Sequence, residues 1–403
     1  MKNLVPRLLI ISGGSEVVSL ALADAAYSAV LPYAVFSLVP NSVLKGAAGS
    51  VSFVDLSAKI GCWDQLRHAF LLELSLLPQC SSRLAILPTE DGSLRLLNEC
   101  RDEVLEWGEF PRARNLRMGG LDKAEVVEFA QSKGVSHTLA PTKVLYRPED
   151  AVAVLLEFGV DTVFKPALKP LSMDLSVMGG QGIKVVTQNS VEEGAESIIA
   201  RLRKAWPLSE RWIAQPRFYI GAGLERSVCA VRGSSIRACQ VVERGKFPRM
   251  GGTAYWVSTE NKTDLIASAS CLLEALDMIG MCELSYLPDK AYRGQLIELN
   301  PRPWLQVSLV ERAGFSIITE AISVLQGEMS IPSMPVLAHC DWLQPERMFL
   351  SLLSRESTLP EFSKMVPLAF RSTSVIGGYE SFLPGMRRKM FARTLRKFLQ
   401  MIR

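Results

Sequence analysis

Glu298 and Asn300 stand two apart in Leu296-Ile297-Glu298-Leu299-Asn300, so in a strand both side chains face one way. Glu283 lies in the stretch Cys282 to Leu287, across the polar turn Pro288 to Gly294. If the two stretches form an antiparallel hairpin with an even number of loop residues, Glu283 joins the same face. Two carboxylates and an amide carbonyl are hard oxygen donors, the kind Mg²⁺ takes while leaving room for substrate phosphates. Arg302, one pleat further on, reaches the same space and suits a phosphate or a developing negative charge. A surface hairpin with solvated charges is the plain alternative, but Leu296, Ile297 and Leu299 are apolar and Asn300-Pro301-Arg302-Pro303-Trp304 is unusual for an idle strand end.

Lys165 is a charge inside the apolar run Val163-Phe164-Lys165-Pro166. Taken alone it reads as an edge-strand lysine facing water. Ser176 to Gly182 follows, and Gly179, Gly180 and Gly182 allow backbone N–H groups to approach phosphate oxygens closely. Lysine, glycine loop and acidic donors in this order carry more together than singly.

Alternating elements must position these groups. Leu8 to Ile11, Val51 to Leu56 and Leu84 to Leu87 read as strands; Val17 to Ala29, Trp63 to Leu77 and Ser93 to Glu106 read as helices, giving an open α/β sheet. Gly13-Gly14 after the first strand reads mainly as a tight turn. Gly119-Gly120 ends this region, and Leu121 to Gly134 has helical spacing with glycine as its stop. Strands are expected at Thr162 to Leu168 and Ile183 to Thr187. Ser190 to Glu193 forms a capping box for a helix reaching Trp206. Trp212 to Ile220, Glu225 to Val231 and Ile236 to Val242 suggest an antiparallel meander, and a helix from Asp264 to Ile279 precedes the hairpin.

The chain's 403 residues imply two or three domains, and 48% apolar with 21% charged residues excludes wholesale disorder. A net charge of +4 is too mild for a nucleic-acid binder. Eight cysteines without a CxxC pair read as reduced thiols of a cytoplasmic protein, and three scattered histidines argue against a His-rich metal site. The longest apolar stretch, Ala25 to Val39, contains Pro32 and falls short of a membrane span. No signal peptide is expected, since the N-terminal apolar run leads into Gly13-Gly14 without a cleavage pattern.

These motifs together resemble the ATP-grasp superfamily over roughly residues 119 to 330, in its carboxylate–amine ligase branch, related to the biotin carboxylase and carbamoyl-phosphate synthase fold. The resemblance implies an α/β (α+β) architecture. An N-terminal open α/β domain (1–118) would precede an ATP-grasp domain (119–330) of two α+β subdomains, one mobile (about 143–211). A C-terminal extension (331–403) would follow. Lys123 and Lys165 resemble the two ATP lysines, and Met178 to Gly182 the loop covering the phosphates. Ile213 to Gly221 resembles the strand whose backbone meets adenine. Gln215-Pro216-Arg217-Phe218 replaces the common Gln-Glu-Tyr-Ile there, leaving backbone contacts from Gln215 and Phe218. Glu225 matches a ribose-binding position, and Glu283, Glu298 and Asn300 match the metal ligands. Arg302 matches a catalytic-centre arginine. Pro88-Thr89-Glu90-Asp91-Gly92-Ser93, and Gly251-Gly252 after Lys246 and Arg249, are similar to segments of the same branch. Trp304 after the Asn is atypical and would reshape the acceptor pocket.

The activity implied is ADP-forming carbon–nitrogen ligation with ATP and two Mg²⁺ ions, for which Mn²⁺ could substitute. A carboxylate becomes an acyl phosphate and an amine displaces phosphate, Arg302 and Arg249 orienting the carboxylate or stabilising the tetrahedral intermediate. Small-molecule carboxylate and amine substrates, an amino acid or peptide among them, and a homodimer are expected. A thiol or enol acceptor, or a non-catalytic nucleotide-binding scaffold, are the alternatives. Met386 to Arg403 carries seven basic residues and no acid, with Phe391, Leu395, Phe398, Leu399 and Ile402 at helical spacing. It reads as a docked terminal helix or a contact for an anionic partner.

Overall fold

The computed structural model describes residues 5–57, 62–78, 82–159, 162–169, 185–186, 195–216, 225–247, 252–286, 295–328, 335, 337–355, 357, 363–364, 367–370 and 374–377. The first region runs β1 (Leu8–Ser12), α1 (Glu16–Ser28), β2 (Tyr33–Ser37), β3 (Ser50–Asp55), α2 (Trp63–Ser75), β4 (Leu84–Pro88), α3 (Asp91–Glu99), α4 (Arg101–Trp107) and β5 (Gly108–Glu109). Its five strands form a parallel sheet in the order β3-β2-β1-β4-β5. Alternate residues serve opposite faces: Leu8 and Ile10 enter one core cluster, Leu9 and Ile11 another. A strand buried on both faces must be apolar throughout, which is why β1, β2 and β4 show no polar alternation.

Then come β6 (Arg112–Ala113), α5 (Lys123–Ser132), β7 (Lys143–Leu145), α6 (Ala151–Phe158), β8 (Thr162–Pro166), β9 (Val185–Val186), α7 (Ala195–Ala205) and β10 (Trp212–Pro216). Strands β7-β10-β8-β9 make a small antiparallel sheet with its own core of Leu145, Val154, Phe164, Ile198, Leu202 and Trp212. The remainder is β11 (Arg226–Arg232), β12 (Ile236–Phe247), β13 (Thr253–Glu260), α8 (Ile266–Ala275), β14 (Met278–Tyr286), β15 (Leu296–Asn300), α9 (Val307–Arg312), α10 (Ile317–Leu325), β16 (Asp341–Leu343), α11 (Pro345–Leu353) and β17 (Ser374–Ile376). The large sheet runs β15-β14-β11-β12-β13-β16-β17, with β6 also on β14.

One hydrophobic core joins the first sheet to the large one. Ile10, Val35 and Leu87 of the former share it with Cys229, Val231 and Met281 of the latter, with Ile317, Ile318, Ala321 and Ile322 of α10 in the same cluster. Several expected boundaries move. The apolar stretch 25–39 divides into the end of α1, a turn with Val30 at φ 56°, and β2. The helix expected over 93–106 breaks at Cys100 into α3 and α4. The helix expected to reach Ile279 stops at α8's Ala275, Asp277 turns at φ 47°, and the apolar run from Met278 becomes β14, buried between neighbours. The capping box at 190–193, residues 217–220 and the basic segment 386–403 lie outside the described residues. No described helix is long and apolar enough to cross a membrane.

Candidate active site

The hairpin register decides the acidic face. β14 pairs antiparallel with β15, Glu283 directly opposite Asn300 and Ser285 opposite Glu298. Directly opposed residues share a face, so Glu283, Glu298 and Asn300 point the same way. Asn300 Nδ2 donates to Glu283 Oε2 at 3.4 Å, which turns its carbonyl oxygen away from that carboxylate. No cluster of three or more His, Cys, Asp or Glu metal donors occurs among the described residues. The set here is two carboxylates plus an amide, which fits an ion that completes its shell with water and phosphate oxygens.

Cations converge on the same face. Asp122 caps α5, accepting from the backbone N–H groups of Ala124 and Glu125, and it also receives Arg211 Nη2 at 2.7 Å. The cap places Lys123 on the first turn, where helix N–H groups already favour anions. Lys123 Nζ lies 3.3 Å from Glu298 Oε1, and its backbone N–H donates to the Ala167 carbonyl at 2.9 Å, tying α5 to the end of β8. Lys165 sits on β8, between β10 and β9 rather than at a sheet edge. Its Nζ donates to Gln215 Oε1 at 3.2 Å, and Gln215 Nε2 donates to Thr142 Oγ1 at 3.0 Å. The Gln215 side chain is thus held between Lys165 and Thr142.

Arg302 is pinned from the first sheet. Its Nε donates to Asp91 Oδ1 at 2.6 Å, and Lys169 Nζ reaches Asp91 Oδ2 at 2.5 Å. Burial disfavours the Asp91 charge, but Arg302, Lys169 and Lys123 overcome it and hold the carboxyl well below the usual carboxylate range. Glu298 is likewise penalised by burial yet held down to about 2 by Lys123, Lys169 and Lys165. Glu283 goes the other way: burial pushes its carboxyl up, with partial relief from Arg302 and a Ser227 hydrogen bond. A carboxylate short of positive charge beside one already saturated is the asymmetry a divalent cation would relieve.

The proposed ribose residue, Glu225, accepts from Lys246 Nζ at 2.7 Å, with Glu243 Oε1 3.6 Å from the same nitrogen. Burial and then Glu225 push the Glu243 carboxyl up to about 8. Residues three apart in a regular strand face opposite sides. Pairing of β12 with β13 is irregular between Glu243 and Lys246, and there both side chains meet. A Cβ on Gly245 would come within 2.4 Å of the Tyr255 ring, so this irregularity needs glycine.

At the carboxyl ends of β1 and β4, where the strand order of the first sheet reverses, Gly13 N–H donates to Thr89 Oγ1 (2.9 Å) and Gly14 N–H to Glu90 Oε2 (2.8 Å). Gly14 therefore holds Glu90 and Gly13 holds Thr89. Gly13 lies so close that an added Cβ would meet Glu90 Oε1 at 1.9 Å. That oxygen has no hydrogen-bond partner among the described residues.

The structure thus joins Lys123 to Glu298, Asn300 to Glu283, Lys165 to Gln215, Glu225 to Lys246 and Arg302 to Asp91. Arg249, Gly179, Gly180, Gly182 and Phe218 lie outside the described residues. Trp304, expected to reshape the acceptor pocket, is instead 2% exposed within the shared core. Lys169 and Glu243 carry no signal in the sequence, and Asp91 enters it only as a member of the segment Pro88 to Ser93 that follows β4.

No protein-family model and no curated protein sequence matches the chain. Solved structures do match, and they define an ATP-grasp fold, as the sequence resemblance implied. N5-carboxyaminoimidazole synthetase from Staphylococcus aureus superposes at TM-score 0.58 with 16% identity, covering 89% of this chain and 87% of that one. Biotin carboxylase from Campylobacter jejuni, as a β-γ-ATP complex, gives 0.57 and 18%, covering 81% and 72%. The biotin carboxylase domain of Hydrogenobacter thermophilus 2-oxoglutarate carboxylase, with MgADP, ADP and bicarbonate, gives 0.60 and 12%, covering 82% and 72%.

Proposed function

We propose that this protein is an ATP-dependent ligase that activates a carboxylate as an acyl phosphate and couples it to an amine, releasing ADP and phosphate. The observation that carries this reading is Glu298, sharing one face of the hairpin with Glu283 and Asn300 while Lys123 lies 3.3 Å away. Cations and oxygen donors alternate there as a metal-bound triphosphate requires. Glu283, Glu298 and Asn300 would hold Mg²⁺, which when bound neutralises β- and γ-phosphate charge. Lys123 and Lys165 bind phosphate oxygens; Glu225, released by Lys246, meets the ribose; Gln215 offers its backbone to adenine.

A substrate carboxylate oxygen attacks the γ-phosphorus and the bond to ADP breaks. The amine nitrogen then attacks the acyl carbon, the C–O bond to phosphate breaks, and the amine proton leaves to solvent. Arg302, fixed by Asp91, steadies negative charge at that centre. Residues 1–118 serve as acceptor-side domain and 119–330 as ATP domain, whose large sheet the described part of 331–403 continues through β16 and β17.

The test is ADP release with Mg²⁺-ATP against carboxylic acids and amino acids, single and paired, with bicarbonate included because a neighbour was crystallised with it. Turnover with one carboxylate–amine pair is expected, and Glu298→Gln should reduce it by about 100-fold or more. Tight ATP binding without turnover for any pair, unchanged in Glu298→Gln, would instead support a scaffold.

A further inference from the structure

Lys169 has no place in the phosphate site described above, yet the fold delivers it there. The Ala167 N–H donates to the Arg211 carbonyl and the Ala167 carbonyl accepts from Lys123 N–H, both at 2.9 Å, so the chain leaving β8 is fixed on two sides. Leu168, the next residue, packs against the first sheet's second core cluster. Lys169 follows and extends to Asp91, 78 residues earlier in sequence, at 2.5 Å. Segment 167–169 therefore crosses from the small sheet to the first sheet and carries an ammonium to the edge of the acidic face.

Lys169 and Arg302 share the carboxylate of Asp91, at 2.5 and 2.6 Å, and beyond it both cations also interact with Glu298. Glu298 feels Lys169 as well as Lys123 and Lys165. Asp91 and Arg302 are each less than a fifth exposed, whereas Lys169 is 35% exposed and so open to a ligand. A part-exposed ammonium and a largely buried guanidinium around one shared anion, next to a metal-type face, fit a phosphate group.

We propose that Lys169 is a phosphoryl-contacting residue, binding with Arg302 the phosphate that is transferred from ATP, and that Asp91 is the positioning residue that holds both cations at that spot. This rests on the ligase reading above. Inorganic phosphate, one of the products, is the probe. Titrated into the full-length protein saturated with Mg²⁺-ADP, it should bind Lys169→Met roughly tenfold or more weakly than wild type, the size of one lost charge-assisted hydrogen bond. Lys169→Arg should restore most of that loss, and Mg²⁺-ADP affinity should stay within about twofold throughout. Lys169→Gln, which keeps a donor for Asp91 without the charge, serves as the second neutral variant if Met does not fold. Unchanged phosphate affinity in the neutral variants, or an equal loss of Mg²⁺-ADP affinity, overturns the assignment. Failure of the wild type to bind Mg²⁺-ADP at all would overturn the ligase reading and this inference with it; a phosphate result with ADP bound bears on Lys169 alone.

Discussion

Glu90 is a carboxyl held by two opposed demands. Burial pushes it from 4.5 to about 7, while the Gly14 N–H hydrogen bond and Arg302 pull the other way. Between those pH values the folded protein keeps a proton that the unfolded chain has released. Stability therefore falls as pH rises from about 4.5 to about 7 and levels off above. The span is worth on the order of 3 kcal/mol. Glu90→Gln, which keeps an acceptor for Gly14, should lose correspondingly less stability than wild type between pH 5 and pH 8 in urea unfolding. Parallel profiles for the two proteins would show that Glu90 is ionised throughout. Residue identities were the most legible level: the two-residue spacing of Glu298 and Asn300 puts both side chains on one face, whereas Lys165, an edge-strand lysine when read alone, gained meaning only beside the glycine loop and the acidic donors. Asp91 could not be read the same way, because its role exists only where Arg302, 211 positions later, folds back onto it.

At the level of elements, strand parity explains both success and failure. Glu283 fell on the acidic face because the β14–β15 hairpin keeps a regular register from Glu283 to Ser285. Glu243 was invisible because three-residue spacing from Lys246 puts it on the opposite face of any regular strand, and only the irregular pairing at Gly245 brings it back. Tyr255, 7% exposed, has no room to retreat from a side chain there. Gly245→Ala should cost about 1–3 kcal/mol in unfolding experiments, and by displacing Lys246 it should weaken Mg²⁺-ADP binding measured by calorimetry. Full stability with normal nucleotide affinity would mean that β12 tolerates a regular path. The end of α8 shows the reverse situation, in which burial overrides helical periodicity: Met278, Ile279 and Met281 gain more from the core between neighbouring strands than from another helical turn.

Across the whole molecule, the first sheet is not packed as an independent unit. One of its faces shares a core with the large sheet, and α10 of that later region lies in the same cluster. A fragment of residues 1–118 would keep α1 over that face but lose the α10 side of the cluster, Ile317, Ile318, Ala321 and Ile322 among it. Expressed alone, the fragment should give a collapsed spectrum without dispersed amide signals; a well-dispersed spectrum would show that its second core, on the α2 and α3 side, suffices. Composition and alternation foretold the class of each region, since the α/β pattern is local. How the regions join was not legible, because α10's apolar face looks the same whether it covers one sheet or two.

The separate core of the small sheet has an optical consequence. Trp206 and Trp212 stack within it, ring centroids 6.0 Å apart, whereas Trp304 and Trp342 lie in the core shared by the other two sheets and Trp63 and Trp107 flank the first sheet's other face. Three of the packing units thus hold a pair of indoles each, and Trp256, the seventh, lies in a further cluster with Tyr255 and Leu343. With Trp256 and two of the pairs replaced by phenylalanine, the emission of the remaining pair reports on its own unit alone.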